Sequence, residues 1–104
     1  MAQFDVHKNL NPASKTVAPY IMNLQNDLLD DLPTRLIAPL KSGKIIGGKI
    51  NTLMPEVDVL GKKYLVVVAE SAGLPTNYLG PKVANLGEHR AQFVAAMDIL
   101  ISGI

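Results

Sequence analysis

The sequence holds no cysteine, no tryptophan and only two phenylalanines. Without thiols there is no disulfide framework, no thiolate zinc site and no cysteine nucleophile, and the chain suits a reducing compartment. Any core must be largely aliphatic. Neither charge sign dominates: ten Lys and Arg face nine Asp and Glu, a formal net charge of +1. That balance argues against a strongly electrostatic nucleic-acid binder, which would need a clustered basic face. No apolar run approaches the roughly 20 residues that span a bilayer. The opening "MAQFDVHKNL" has no apolar stretch of the kind a secretion leader needs. What is present is 104 residues, 48% of them hydrophobic. That composition predicts one domain over 1–104 with its own core, cytoplasmic and without a membrane partner.

Period-two alternation predicts strands at 3–7, with Phe4 and Val6 on one side, at 20–26 and at 34–40. Pro39 places the end of the third at an edge or bulge. Residues 8–19, with two prolines and two asparagines, read as a long mobile loop. Residues 27–33 read as a turn. Segments 55–60 and 64–70 flank "GKK" as a hairpin, and the unbroken run Leu65 to Ala69 predicts the central strand. Residues 71–80 read as loop and 82–86 as a short strand. A helix follows, capped by Asn85 or Gly87, with Glu88 in its first turn. Its sheet-facing stripe is expected at Phe93, Met97, Leu100 and Ile101. Strands first and one helix last give an α+β fold, mainly β, with a bent antiparallel sheet.

Chemistry-bearing motifs are few. "GKIIGGKI" at 43–50 nearly spells a phosphate loop, but Ile50 stands where Ser or Thr would hold magnesium, and Pro55 follows where a helix is needed. A surface loop is the better reading. Two histidines, His7 and His89, cannot by themselves build a structural zinc site. As a catalytic pair they lack a recognisable nucleophile or orienting group. Asp27, Asp30 and Asp31 cluster without the glycine and closing glutamate of a calcium loop. They read as a solvated turn or as a negative patch for a basic partner. No cofactor or metal is expected.

"QNDLLDDLPTRLIAPL" at 25–40 together with "MDILISGI" at 97–104 resembles the CcdB family, the toxin halves of bacterial toxin–antitoxin modules that poison DNA gyrase. "QFDVHKN" at 3–9 and "GLPTNYLG" before "VANL" extend the resemblance along nearly the whole chain. It implies an SH3-like barrel with a C-terminal helix, of the CcdB, Kid and MazF type, dimerised through the helix region. It also implies a gyrase-binding surface of Gln3, Phe4, His7, Asn26, Leu28, Leu29, Asp98, Ile101, Ser102, Gly103 and Ile104. Several positions depart from the family's type member. Ser102 replaces a tryptophan, and aromatic anchors of that kind carry ~2 kcal/mol or more at interfaces. His7 replaces an aromatic, Asn26 a small polar residue, Asp98 an asparagine and Ile101 a phenylalanine. Lys8, Asn9, Asn11, Lys41, Lys44 and Lys49 fall in the loops that meet the disordered acidic tail of a CcdA-like antitoxin, and the lysines have the right sign for it.

The function so implied is that of a toxin without enzymatic activity. It binds the gyrase A subunit and traps the cleaved gyrase–DNA complex. The antitoxin tail neutralises it, and the toxin–antitoxin complex represses its operon, with DNA contacted only through antitoxin or gyrase. Two alternatives stand beside it. One is a messenger-RNA interferase of the Kid and MazF type, with His7 and Arg35 as the obvious groups. The other is a non-toxic homologue that binds only antitoxin.

Overall fold

The computed structural model describes residues 2–29, 31–42 and 53–103. Among the described residues, seven strands form one curled antiparallel sheet: β1 (Asp5–Asn9), β2 (Tyr20–Asn23), β3 (Thr34–Lys41), β4 (Glu56–Val59), β5 (Lys62–Val66), β6 (Ala72–Pro75) and β7 (Leu79–Asn85). One helix follows, α1 (Arg90–Ser102). The spatial order is β4-β5-β3-β2-β1-β7, with β6 also on β3. The α+β, mainly β architecture expected from the sequence is the one observed.

The curl has a local cause in β3. Its first half, Thr34–Ile37, pairs with β6, and its end, Leu40–Lys41, pairs with β5. Pro39 lies at the changeover, where its missing N–H leaves no gap in either ladder. Its carbonyl still accepts a hydrogen bond from the Val67 N–H at 2.9 Å. Pro39 is therefore interior to the sheet and not at its edge, since β2 covers the other side through the pair Ile21↔Pro39.

One sheet face carries Val6, Met22, Ala38, Leu40 and Val66, which pack with Phe93 and Ala96 of α1. The register Val6↔Met22↔Ala38 sets three of them side by side. Aliphatic burial dominates, as two phenylalanines dictate. Phe4 and Phe93 meet at 5.3 Å between centroids, a tilted pair.

Several expectations need correction. Leu65 to Ala69 are not a central strand. β5 ends at Val66, the chain turns, and Val68–Glu70 form a 3-10 turn. Val67 and Val68 are buried because α1 packs over this turn, not because a sheet sandwiches them. The central strands are β2 and β3. The first strand begins at Asp5, because Phe4 has φ +68° and breaks the extended backbone. Residues 71–80 hold β6, which Gly73 and Pro75 disguise. The helix buries Phe93 and Ala96, while Leu100 and Ile101 are exposed. A 3-10 turn, Gly87–His89, precedes α1, and Asn85 Oδ1 accepts from the Gly87 N–H at 2.8 Å.

Candidate functional site

The first four described residues act as a clasp. The Asp5 carboxylate accepts from the Ala2 N–H at 2.9 Å and closes a tight turn that holds Phe4 in its left-handed conformation. Within the turn, the Gln3 N–H donates to Asp27 Oδ1 at 2.7 Å, and Gln3 Nε2 donates to the Leu24 carbonyl at 3.1 Å. Gln3 thereby anchors the 3-10 turn Asp27–Leu29. Asn26 shapes that turn from within, its Oδ1 accepting from the Leu28 N–H at 2.9 Å. The result thrusts Leu28 outward, 91% exposed, with Leu29 beside it. On the helix side, Arg90 donates to Gln3 Oε1 at 2.9 Å and lies 5.7 Å from the centre of the Phe4 ring.

A groove of about 140 Å³ runs between this clasp and α1, with Gln3, Phe4, Leu24, Leu36, Val94 and Asp98 on its walls. It brings together Gln3, Phe4 and Asp98, residues 95 positions apart at the extremes. Leu36 and Val94 were missed by sequence reasoning. The signal was there, because Leu36 is an apolar residue on the outward phase of β3. Arg90 was missed too, and nothing in its local sequence marks it. Ile101 is 77% exposed at the end of α1. Ser102 Oγ donates to the Asp98 carbonyl at 2.5 Å. Gly103, at φ +76°, ends the helix in the left-handed region, and its N–H donates to the Ile99 carbonyl. It thus has a folding role in addition to any contact, since only glycine adopts that conformation without strain. Ile104 lies outside the described residues.

His7 does not join this surface. It sits on the opposite sheet face with Asp5 and Asn9, 7% exposed, Nδ1 at 2.8 Å from the Gly80 carbonyl. Its Nε2 is buried without a hydrogen-bond partner. His89 lies instead beside Phe93, so the two histidines do not share an environment. Arg35 is buried as well, donating to the Leu32 and Thr34 carbonyls at 2.8 and 3.1 Å.

Asp5, buried on the same face, pairs with Lys82 at 3.2 Å and accepts from Asn85 Nδ2 at 2.8 Å. Burial raises its pKa, but Asn85, the Ala2 N–H and Lys82 outweigh burial and hold it below the usual 3.8.

Lys8 and Asn9, expected in a loop, belong to β1. Asn9 is buried, and its amide donates to Ser14 Oγ and the Ala18 carbonyl. The segment after β1 is closed by its own bonds, Lys15 N–H to the Asn11 carbonyl and Ala18 N–H to the Ser14 carbonyl. Asn9, Asn11 and Lys41 line a cleft of about 300 Å³, where Lys41 forms an ion pair with Glu70. Lys44, Lys49 and the phosphate-loop-like stretch lie outside the described residues, as does Asp30. Among the described residues no cluster of three potential metal ligands occurs, and no helix is long and apolar enough to cross a membrane.

A curled antiparallel sheet followed by one helix, with its first turn clasped to that helix, is a fold shared with solved toxin structures. The structure is similar to the Mycobacterium tuberculosis toxin MazF-mt6, with TM-score 0.75 and 16% identity over 94% of this chain and 96% of that one. It is similar also to a mycobacterial endoribonuclease solved with its cognate antitoxin, with TM-score 0.72 and 12% identity over 98% and 95% of the two chains. Residues 3–103 match the family described as CcdB protein, and the chain belongs to the CcdB family, toxins of toxin–antitoxin modules. One expectation falls here. The fold neighbours include an endoribonuclease, so this scaffold carries catalysts, and the expectation of a toxin without enzymatic activity is not retained.

Proposed function

We propose that the protein is a homodimeric gyrase poison. It binds the gyrase A subunit through the clasp, the groove and the end of α1, and so stabilises the cleaved DNA complex. Family membership supports this reading. The observation that carries it is the convergence of Gln3, Phe4 and Asp98 in one groove, with Leu28 exposed on the turn that Gln3 anchors and Ile101 exposed about one helical turn beyond Asp98. Apolar side chains held out by a bonded turn cost the free protein solubility, and they make sense as partner contacts. A ligand traps a state only by binding it better, here the opened gyrase–DNA complex. Leu100 supplies apolar surface for a two-fold contact near the helix ends. An acidic antitoxin tail would meet the cleft lined by Asn9, Asn11 and Lys41 and reverse the poisoning. The complex would then repress its own operon through antitoxin-borne DNA contacts. A gyrase target places this action in the cytoplasm.

The direct test incubates the dimer with host gyrase and supercoiled plasmid, then denatures the mixture. Accumulated linear DNA, removed by added antitoxin, is the expected result. RNA cleavage is the second reading, favoured by the endoribonuclease neighbour. The groups expected to serve it, His7 and Arg35, are buried, so the acid–base pair presented to a substrate would be Lys41 and Glu70 in the cleft. Cleavage of purified RNA that persists through further purification, and is lost in Glu70→Gln, would replace the gyrase reading.

A further inference from the structure

The groove beside α1 has an aromatic floor and no aromatic arm. Phe4 and Phe93 lie at its bottom, both buried, so neither ring can reach out to a partner. Leu24, Leu36, Val94 and Met97 complete the apolar lining. Only Gln3 and Asp98 are polar among the described lining residues. The helix ends at Ser102, small and exposed, its hydroxyl turned back onto the Asp98 carbonyl. Aromatic side chains seated in pockets are the usual anchors of interfaces. An anchor of that kind on this groove has to come from the partner.

Size and chemistry define what fits. The groove holds about 140 Å³. An apolar cavity of roughly 150 Å³ lined by Leu, Ile and Phe takes a benzene ring. The floor favours a ring over an aliphatic group of similar bulk. Phe4 and Phe93, tilted by 38° at 5.3 Å, offer a third ring the offset and edge contacts that aromatic groups prefer. The Met97 thioether adds a polarizable contact. The two polar walls differ in what they have left to give. Gln3 is spent internally, its Oε1 on Arg90 and its Nε2 on the Leu24 carbonyl. Among the described residues, the Asp98 carboxylate has no hydrogen-bond donor and no ion-pair partner, because Ser102 bonds the main-chain carbonyl. An acceptor on an apolar wall selects a ring that carries a donor.

We propose that this groove is a socket for one tyrosine side chain of the partner. The ring lies over Phe4 and Phe93, and its phenol O–H donates to the Asp98 carboxylate. The aromatic anchor is then carried by the target, the reverse of what a tryptophan at position 102 would imply. The proposal rests on the gyrase reading for the identity of the partner, and on the groove alone for the chemistry it accepts.

The probe is p-cresol, the tyrosine side chain as a free molecule, titrated into the whole protein, with toluene as its counterpart lacking the hydroxyl. Binding is followed by the methyl NMR signals of Leu36, Val94 and Met97. p-Cresol should shift all three saturably. Asp98→Ala should weaken p-cresol at least about threefold and leave toluene unchanged. Val94→Phe, which fills the socket from its own wall, should abolish binding of both. Melting temperatures of these two exposed-site variants should match the parent. No saturable shift, or p-cresol binding that Val94→Phe leaves intact, overturns the socket. p-Cresol binding that Asp98→Ala leaves intact overturns the choice of tyrosine. The same proteins are then titrated with an isolated gyrase A fragment, which Val94→Phe should bind at least about tenfold more weakly than the parent. A parent that binds p-cresol but not the fragment overturns the gyrase reading while the socket stands. A fragment that binds Val94→Phe as tightly as the parent overturns gyrase as the source of the ring.

Discussion

Asp5 is a buried carboxylate at the root of the clasp, and its environment makes a pH prediction. Its pKa in the folded chain lies below the usual 3.8, so as pH falls the unfolded chain takes the proton first. The stability it contributes is complete above 3.8 and is lost as pH falls through the lower folded value. Acid unfolding followed by circular dichroism should show this slope, and Asp5→Asn should flatten it. Gly80 makes a packing prediction. A Cβ there would lie 2.9 Å from the Lys8 carbonyl and 3.0 Å from the Leu10 side chain. Gly80→Ala should cost ~1–3 kcal/mol in chemical denaturation, since backbone cannot yield as a side chain can. Neither residue's role was legible beforehand. Asp5 reads as the polar phase of a strand, and Gly80 as one more loop glycine. Their roles come from Asn85 and Lys8, which only the β1–β7 pairing brings near.

β2 and β3 were readable as strands although both their faces are buried, Met22, Ala38 and Leu40 with the helix and Ile21 and Ile37 on the other side. The hairpin was readable too. Leu60 and Gly61 have φ of +51° and +82°, a mirror-image turn that suits strand twist. Leucine is a poor residue at that angle, so Leu60→Asn should raise stability by roughly 0.5–1 kcal/mol. A denaturation midpoint at or below the parent's would count against the turn. β6 was unreadable because Gly73 and Pro75 are strand-poor residues, and its order comes from pairing with β3. The run Leu65 to Val68 misled because tertiary covering by α1 makes a turn as apolar as a strand. Within α1, Phe93 is the side chain to remove. It is 1% exposed and touches the Phe4 ring, so Phe93→Ala should cost ~3–5 kcal/mol. A melting temperature near the parent's would mean the helix is misplaced.

Taken whole, the molecule has a readable fold and a half-readable site. Gln3, Phe4 and Asp98 were named from resemblance and do converge, whereas His7 was named and lies on the far face. A side chain's face depends on strand register, and Phe4's left-handed turn shifts where the register starts. In the proposed dimer the exposed Leu100 is covered, while Leu28 and Ile101 stay open to gyrase. Sedimentation at micromolar concentration should show the dimer, and a sole 11.2 kDa species would refute it. The central measurement is a binding titration of the protein against an isolated gyrase A fragment from the host. The parent should bind, and Leu28→Asp and Ile101→Asp should each weaken binding at least about tenfold at an unchanged melting temperature. Ser102→Trp should strengthen it. A parent that does not bind, or variants that bind as the parent does, would contradict the assignment of this face to gyrase.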